Sequence, residues 1–132
     1  MTHPILALQA ALVAALRADA ALAELVDGRV FDAPPKGAVA PYVAVARHDC
    51  EPRDGDLAPG SEHRVVLHCW ADRPSRAAAL ALAARVLSVA EALAPEGLAV
   101  THWRHERTET AVVLDTGQAR AAVALRFFSE AV

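Results

Sequence analysis

The sequence predicts an α+β fold: an antiparallel sheet of about four strands, with an N-terminal helix and a second, longer helix packed on it. Three observations lead there. Apolar residues recur at helical spacing near the N-terminus and again over residues 75–94. Four other stretches alternate with period two. Proline- and glycine-rich punctuation separates the two kinds of segment. The order helix, strand, strand, helix, strand, strand, with no internal repeat, implies a single domain over residues 1–132.

The first helix has Thr2 as its expected cap and Pro4 in its first turn, where a missing N–H costs nothing. Ile5, Leu8, Leu12 and Leu16 form its apolar stripe, widened by Leu6 and Val13. Asp19 is the expected cap of a short second piece, "AALAELV", which Gly28 ends. "RVF" reads as a brief strand, and "DAPPKGAVAP" as a proline-set turn that cannot be helical.

The four main strands are expected over 42–48, 62–71, 98–107 and 120–129. In the second of them Val65, Leu67 and Cys69 share one face, against Arg64, Val66, His68 and Trp70 on the other. In the last, Val123, Leu125 and Phe127 oppose Arg120, Arg126 and Phe128. Half-polar alternation of this kind belongs to a sheet with one face open or against a partner.

The long helix, 75–94, starts beside Pro74 and stops at "PEG". Leu82, Val86, Val89 and Leu93 make one stripe, and Leu80, Ala83, Leu87 and Ala90 an adjacent one. So broad an apolar surface implies contact with the sheet and with helix one or a neighbouring subunit. Two long connections are expected: an acidic loop over 49–61 and a hairpin tip over 110–118 with "DTG" as its turn.

Bulk properties exclude several functions. The apolar fraction is 55%, but aromatic residues are only 5%, so the core is a thin one of Leu and Val. A net charge of -3 argues against a general nucleic-acid binder, which needs a basic surface. Cys50 and Cys69 make no disulfide framework and read as reduced thiols of a cytosolic protein. The apolar N-terminus has no basic segment before it and is too short to span a bilayer, so a cytoplasmic protein is expected.

Chemistry is hard to find. His102 and His105 are three apart and His63 and His68 five apart, so on strands each pair points to opposite faces. His48 and Cys50 are two apart, but no further ligand converges with them in sequence, and a metal site is not expected. Cys69 falls at a core-facing phase, and Cys50 lies among Asp49, Glu51 and Asp54, a field that disfavours a thiolate. No nucleophile elbow, phosphate loop or zinc-protease motif occurs. We expect no catalytic residue, no cofactor and no metal. Trp70 and Trp103 either close the edges of the core or anchor a protein interface, where Trp and Arg are enriched.

Three segments carry a family resemblance: "GRVFDAPPKGAVAPYVAV", then "EHRVVLHCWADRPSRAAALALAARV", then "VALRFFSE". Together, from Leu6 to Phe128, they resemble the phage tail-completion, or tail-terminator, family, in the version found in alphaproteobacterial gene transfer agents and related prophages. The resemblance implies a small α+β domain with an antiparallel sheet and flanking helices. It also implies a structural virion protein forming a homo-hexameric ring on the head-proximal end of the tail tube. Such a ring stops tube growth, meets the major tail tube protein and the head–tail connector, and lets DNA pass through its centre. The implied location is the neck of a phage or gene-transfer-agent particle assembled in the bacterial cytoplasm, with no membrane partner.

A closed ring needs two different adhesive surfaces on each copy. The expected interface residues are Phe31, Pro34, Pro35, Tyr42, Trp70, Trp103, Arg104 and Phe128. Asp49, Glu51, Asp54 and Asp56 are expected to face the channel or tube, where negative charge keeps DNA sliding. Two other readings stand beside this one: a head–tail connector or stopper subunit, and a non-viral α+β ligand-binding dimer.

Overall fold

The computed structural model describes residues 3–53 and 60–131. Helix α1 spans Pro4–Ala18, and its cap is His3, whose Nδ1 accepts from Ile5 N at 3.1 Å. Thr2, the expected cap, lies outside the described residues. Leu8, Leu12, Val13 and Leu16 form the buried stripe of α1, while Leu6 is 61% exposed. Each fully buried leucine contributes roughly 1.5–3 kcal/mol. Asp19 caps α2 (Ala20–Val26) as expected, its carboxylate accepting from Leu22 N at 3.0 Å. The chain then turns through Asp27 and Gly28, both at positive φ, the first a position few residues other than glycine or a short polar side chain adopt.

The sheet has five strands and is mixed, a correction to the expectation of about four antiparallel ones. The strands are β1 (Val30–Phe31), β2 (Tyr42–Pro52), β3 (Gly60–Ala71), β4 (Leu98–Val113) and β5 (Gln118–Ala131), in spatial order β1-β2-β3-β5-β4. The "RVF" strand pairs in parallel with β2, Val30 opposite Val43. The connection over 32–41 is long enough to carry the chain back, so β2 starts at the same end as β1. The other neighbours are antiparallel.

Both long connections are shorter than the sequence suggested. β2 continues to Pro52 and β3 begins at Gly60, with Asp49 opposite Arg64, Cys50 opposite His63 and Glu51 opposite Glu62. Acidic composition hid a strand whose alternation runs on: His48 and Cys50 point inward while Asp49 and Glu51 point outward. Likewise β4 runs to Val113, and only 114–117 form the tip. Gly117 sits there at φ 67, and its N–H donates to Leu114 O at 3.3 Å.

Helix α3 (Arg76–Glu91) is capped by Ser75, whose Oγ accepts from Ala78 N at 3.1 Å, and it ends three residues before the expected 94. Leu82 and Val86 of one predicted stripe and Ala83 and Ala90 of the other are buried, but Leu80 is exposed. The helix packs on β5, β3 and β4 and touches α1 and α2. The core lies between these helices and one face of the sheet, where Val65, Leu67, Cys69, Val123, Leu125 and Phe127 sit at the predicted phase.

Candidate functional site

Because side chains alternate along a strand, each buried residue fixes where its neighbours point. With Val43, Val65, Cys69, Val123 and Phe127 under the helices, the opposite face carries Tyr42, Trp70, His68, Arg64, Arg120, Arg126 and Phe128. Among the described residues no helix covers that face. Seven of the residues expected to act share it: Phe31, Tyr42, Trp70, Arg104, Phe128, Asp49 and Glu51.

At one end of this face is an aromatic patch. The rings of Phe31 and Tyr42 lie 5.8 Å apart, and Tyr42 stands opposite Trp70 across β2 and β3. The Arg120 guanidinium lies over Trp70 at 5.9 Å, and His68 meets the same indole edge-on at 6.4 Å. Burial, and then the charge of Arg120, push the His68 imidazole below its usual range, so it is neutral at pH 7. Toward the other end His102 lies 5.7 Å from Phe128.

Between these patches the face is ionic. Glu62 is almost fully buried, yet Arg53 and Arg126 approach it at 3.3 and 3.5 Å, which makes its burial tolerable. Arg126 Nε also lies 2.7 Å from Glu106, although its N–H is not aimed along that line; this is a close charge contact rather than an aligned hydrogen bond. Arg47 pairs with Asp49, and Arg107 with Glu109 at 3.0 Å.

The remaining expected residues lie elsewhere. Trp103 is on the helix-covered face, half-buried and stacked against Phe127 at 6.5 Å. Pro34 and Pro35 are exposed in the connection between β1 and β2. Asp54 and Asp56 lie outside the described residues.

One cluster escaped sequence reasoning. His48 Nε2 lies 2.9 Å from His63 Nδ1, and His63 Nε2 lies 3.0 Å from Ser129 Oγ, a chain across β2, β3 and β5. The signal was the continued alternation of β2 past residue 48, obscured by its acids. Burial pushes both imidazoles down to about 4, so both rings are neutral at pH 7. Burial likewise pushes the Cys69 thiol up to about 12, far from a reactive state. Among the described residues no three side chains converge as metal ligands.

An uncovered face that carries Trp70, Tyr42 and several arginines has residue types enriched in protein interfaces. The family model for Tail completion protein gp17 matches residues 10–130. The chain is similar to one solved in the virion of a native gene transfer agent particle, with 29% identity over 98% of this chain and 99% of that one, and a TM-score of 0.82. It is also similar to the gp17 protein of bacteriophage SPP1, with 25% identity, coverage of 92% and 87%, and a TM-score of 0.60. No curated protein matches it. The chain belongs to the tail completion protein gp17 family, whose members are structural components of virions and not enzymes.

Proposed function

We propose that this protein closes into a ring of about six copies at the head-proximal end of a tail tube, because a heterologous interface that closes by rotation terminates growth. The ring ends the tube, joins it to the head connector and lets DNA pass through its centre. The observation that carries this reading is the bare sheet face: Trp70, Tyr42, Arg64 and Arg104 stand on it with no element of the described chain above them. A free monomer gains nothing from leaving such side chains in water, whereas neighbouring copies bury them. Asp49 and Glu51, on the β2–β3 hairpin, are assigned to the channel or the tube, where their charge repels phosphate.

The test is made on particles. Tagged protein located by cryo-electron microscopy is expected as a ring between head and tail, and deletion of its gene is expected to give overgrown tubes without heads. Particles lacking it at the neck, or tubes of normal length and attachment after deletion, would overturn the reading. Within that experiment, Asp49→Lys with Glu51→Lys is expected to slow DNA delivery; unchanged delivery removes these two residues from the channel.

A further inference from the structure

Two groups of charges on this chain, opposite in sign, contain members that make no ion pair among the described residues. The first lies on the bare face. Arg64, Arg126 and Arg104 stand side by side across β3, β5 and β4, each the register partner of the next. Like charges directly opposite in a sheet are destabilising. Arg126 is compensated by Glu62 and Glu106, but Arg64 and Arg104 have no carboxylate within 4 Å among the described residues. Asp49, the register partner of Arg64 on its other side, is taken by Arg47.

The second group is a rim where α3 ends, β4 begins and β5 finishes. Glu91 and Glu96 are exposed on its helix side and Glu130 at the margin of the bare face, where β5 alternation turns it outward like Phe128, and none pairs with a cation among the described residues. No Lys or Arg occurs between Arg85 and Arg104, so the α3–β4 turn supplies no local partner.

We propose that the Arg64–Arg104 row of one copy docks on the Glu91–Glu96–Glu130 rim of the next. The inference rests on the ring reading and deepens it by naming both halves of the contact. A ring needs two unlike surfaces on each chain, and these two are complementary in charge. Passing DNA is the poorer occupant of the arginine row. Glu106 and Glu109 are interleaved with the arginines on the same face, and fixed carboxylates repel a phosphodiester backbone while suiting a protein surface of alternating charge.

The test is a charge swap, read by light scattering and negative-stain imaging under conditions where the unmodified chain forms rings, alone or on purified tubes. Arg64→Glu with Arg104→Glu, and separately Glu96→Arg with Glu130→Arg, are each expected to weaken association about 100-fold while leaving the circular dichroism spectrum unchanged and Tm no lower. Should either pair disturb folding, Arg64→Gln with Arg104→Gln gives a milder version with the same direction. The four substitutions combined in one chain restore assembly. So does mixing the two double variants, which then alternate around an even-numbered ring. Rings that form normally from either double variant, or a combined variant that stays dispersed, overturn this inference and leave the ring reading standing. An unmodified chain that never forms rings removes the ring reading and this contact with it. Duplex DNA binding that is lost in Arg64→Glu with Arg104→Glu, with assembly intact, overturns it in favour of nucleic acid.

Discussion

His48 and His63 face each other across β2 and β3 with Nε2 of one 2.9 Å from Nδ1 of the other, and Ser129 extends the chain from the far side of His63. A hydrogen bond between two ring nitrogens needs at least one of them unprotonated. Protonating both rings breaks it and places two cations side by side in the core. Asp49 and Asp32 oppose the downward shift of His48, but burial outweighs them, and His3 at the start of α1 adds to it. For His63 the shift comes from burial first, then from the charges of His48 and His3.

Acid is therefore expected to destabilise the fold. An imidazole whose folded value is about 4 against 6.5 unfolded leaves stability complete above pH 6.5. That stability drains away as pH falls from 6.5 toward 4, because only the unfolded chain takes up protons in that window. Thermal melts at pH 7.5, 6 and 5 are expected to show falling Tm, and His48→Gln with His63→Gln should flatten that dependence. An unchanged slope in the double variant would contradict the assignment.

Asp19 works at a different junction. Its carboxylate caps α2 and accepts from Arg85 twice, at 2.8 and 3.1 Å, tying the α1–α2 corner to the middle of α3. The hydrogen bonds from Arg85 and then from Leu22 hold this carboxyl below its usual value of 3.8, so its contribution is present above that pH and lost below it. Asp19→Ala is expected to cost about 1 kcal/mol through the cap alone. Asp19→Asn keeps a capping oxygen and should recover part of the loss, measured by urea unfolding at pH 7.

How much of this was legible in the sequence follows from what each residue type advertises. The inward phases of Val65, Leu67, Cys69, Val123, Leu125 and Phe127 were readable because they alternate strictly with polar neighbours. The end of β2 was not, since the acids and the proline there follow strand alternation without strand composition, and that of β4 was hidden because Ala111, Val112 and Val113 run on without polar alternation into the turn. Trp103 was ambiguous for a physical reason: bulges after Val100 and after His105 reset the alternation of β4, so its side is set by register with Phe127. That β1 would pair in parallel needed knowledge of where the connection over 32–41 returns, which is a property of the fold and not of "RVF".

Gly60 shows how closely the chain approaches itself where β2 ends and β3 begins. A Cβ there would lie 2.3 Å from Arg53 O, while Gly60 O accepts from Arg53 N at 2.8 Å. Backbone cannot yield as a side-chain tip can, so Gly60→Ala is expected to open this end of the hairpin. The cost should be about 1–3 kcal/mol, seen as faster amide exchange at Arg53 than in the unmodified chain.

The two thiols should separate by reactivity. Cys69 is fully buried and its thiol is pushed up to about 12 by burial, while Cys50 is partly exposed near the end of β2. Ellman titration of the native protein is expected to spare Cys69, and denaturant should bring it into reaction. Rapid native labelling of Cys69, identified by mass spectrometry, would mean that the core under α3 opens far more readily than its packing implies.

Trp70 separates folding from assembly. Its indole is on the bare face, held by Arg120 at 5.9 Å and by the edge of His68, and the core beneath β3 is filled by Leu67 and Cys69 instead. Trp70→Ala should therefore leave the melting temperature within a few degrees of the unmodified value, since no core cavity opens. A tryptophan at the centre of an interface is commonly worth 2 kcal/mol or more, so association into rings is expected to weaken about 30-fold or further. Trp103→Ala should do the reverse, lowering Tm by unsupporting Phe127 while the remaining folded molecules still assemble. If instead Trp70→Ala unfolds the chain and Trp103→Ala disperses intact rings, the two faces of the sheet have been assigned the wrong way round.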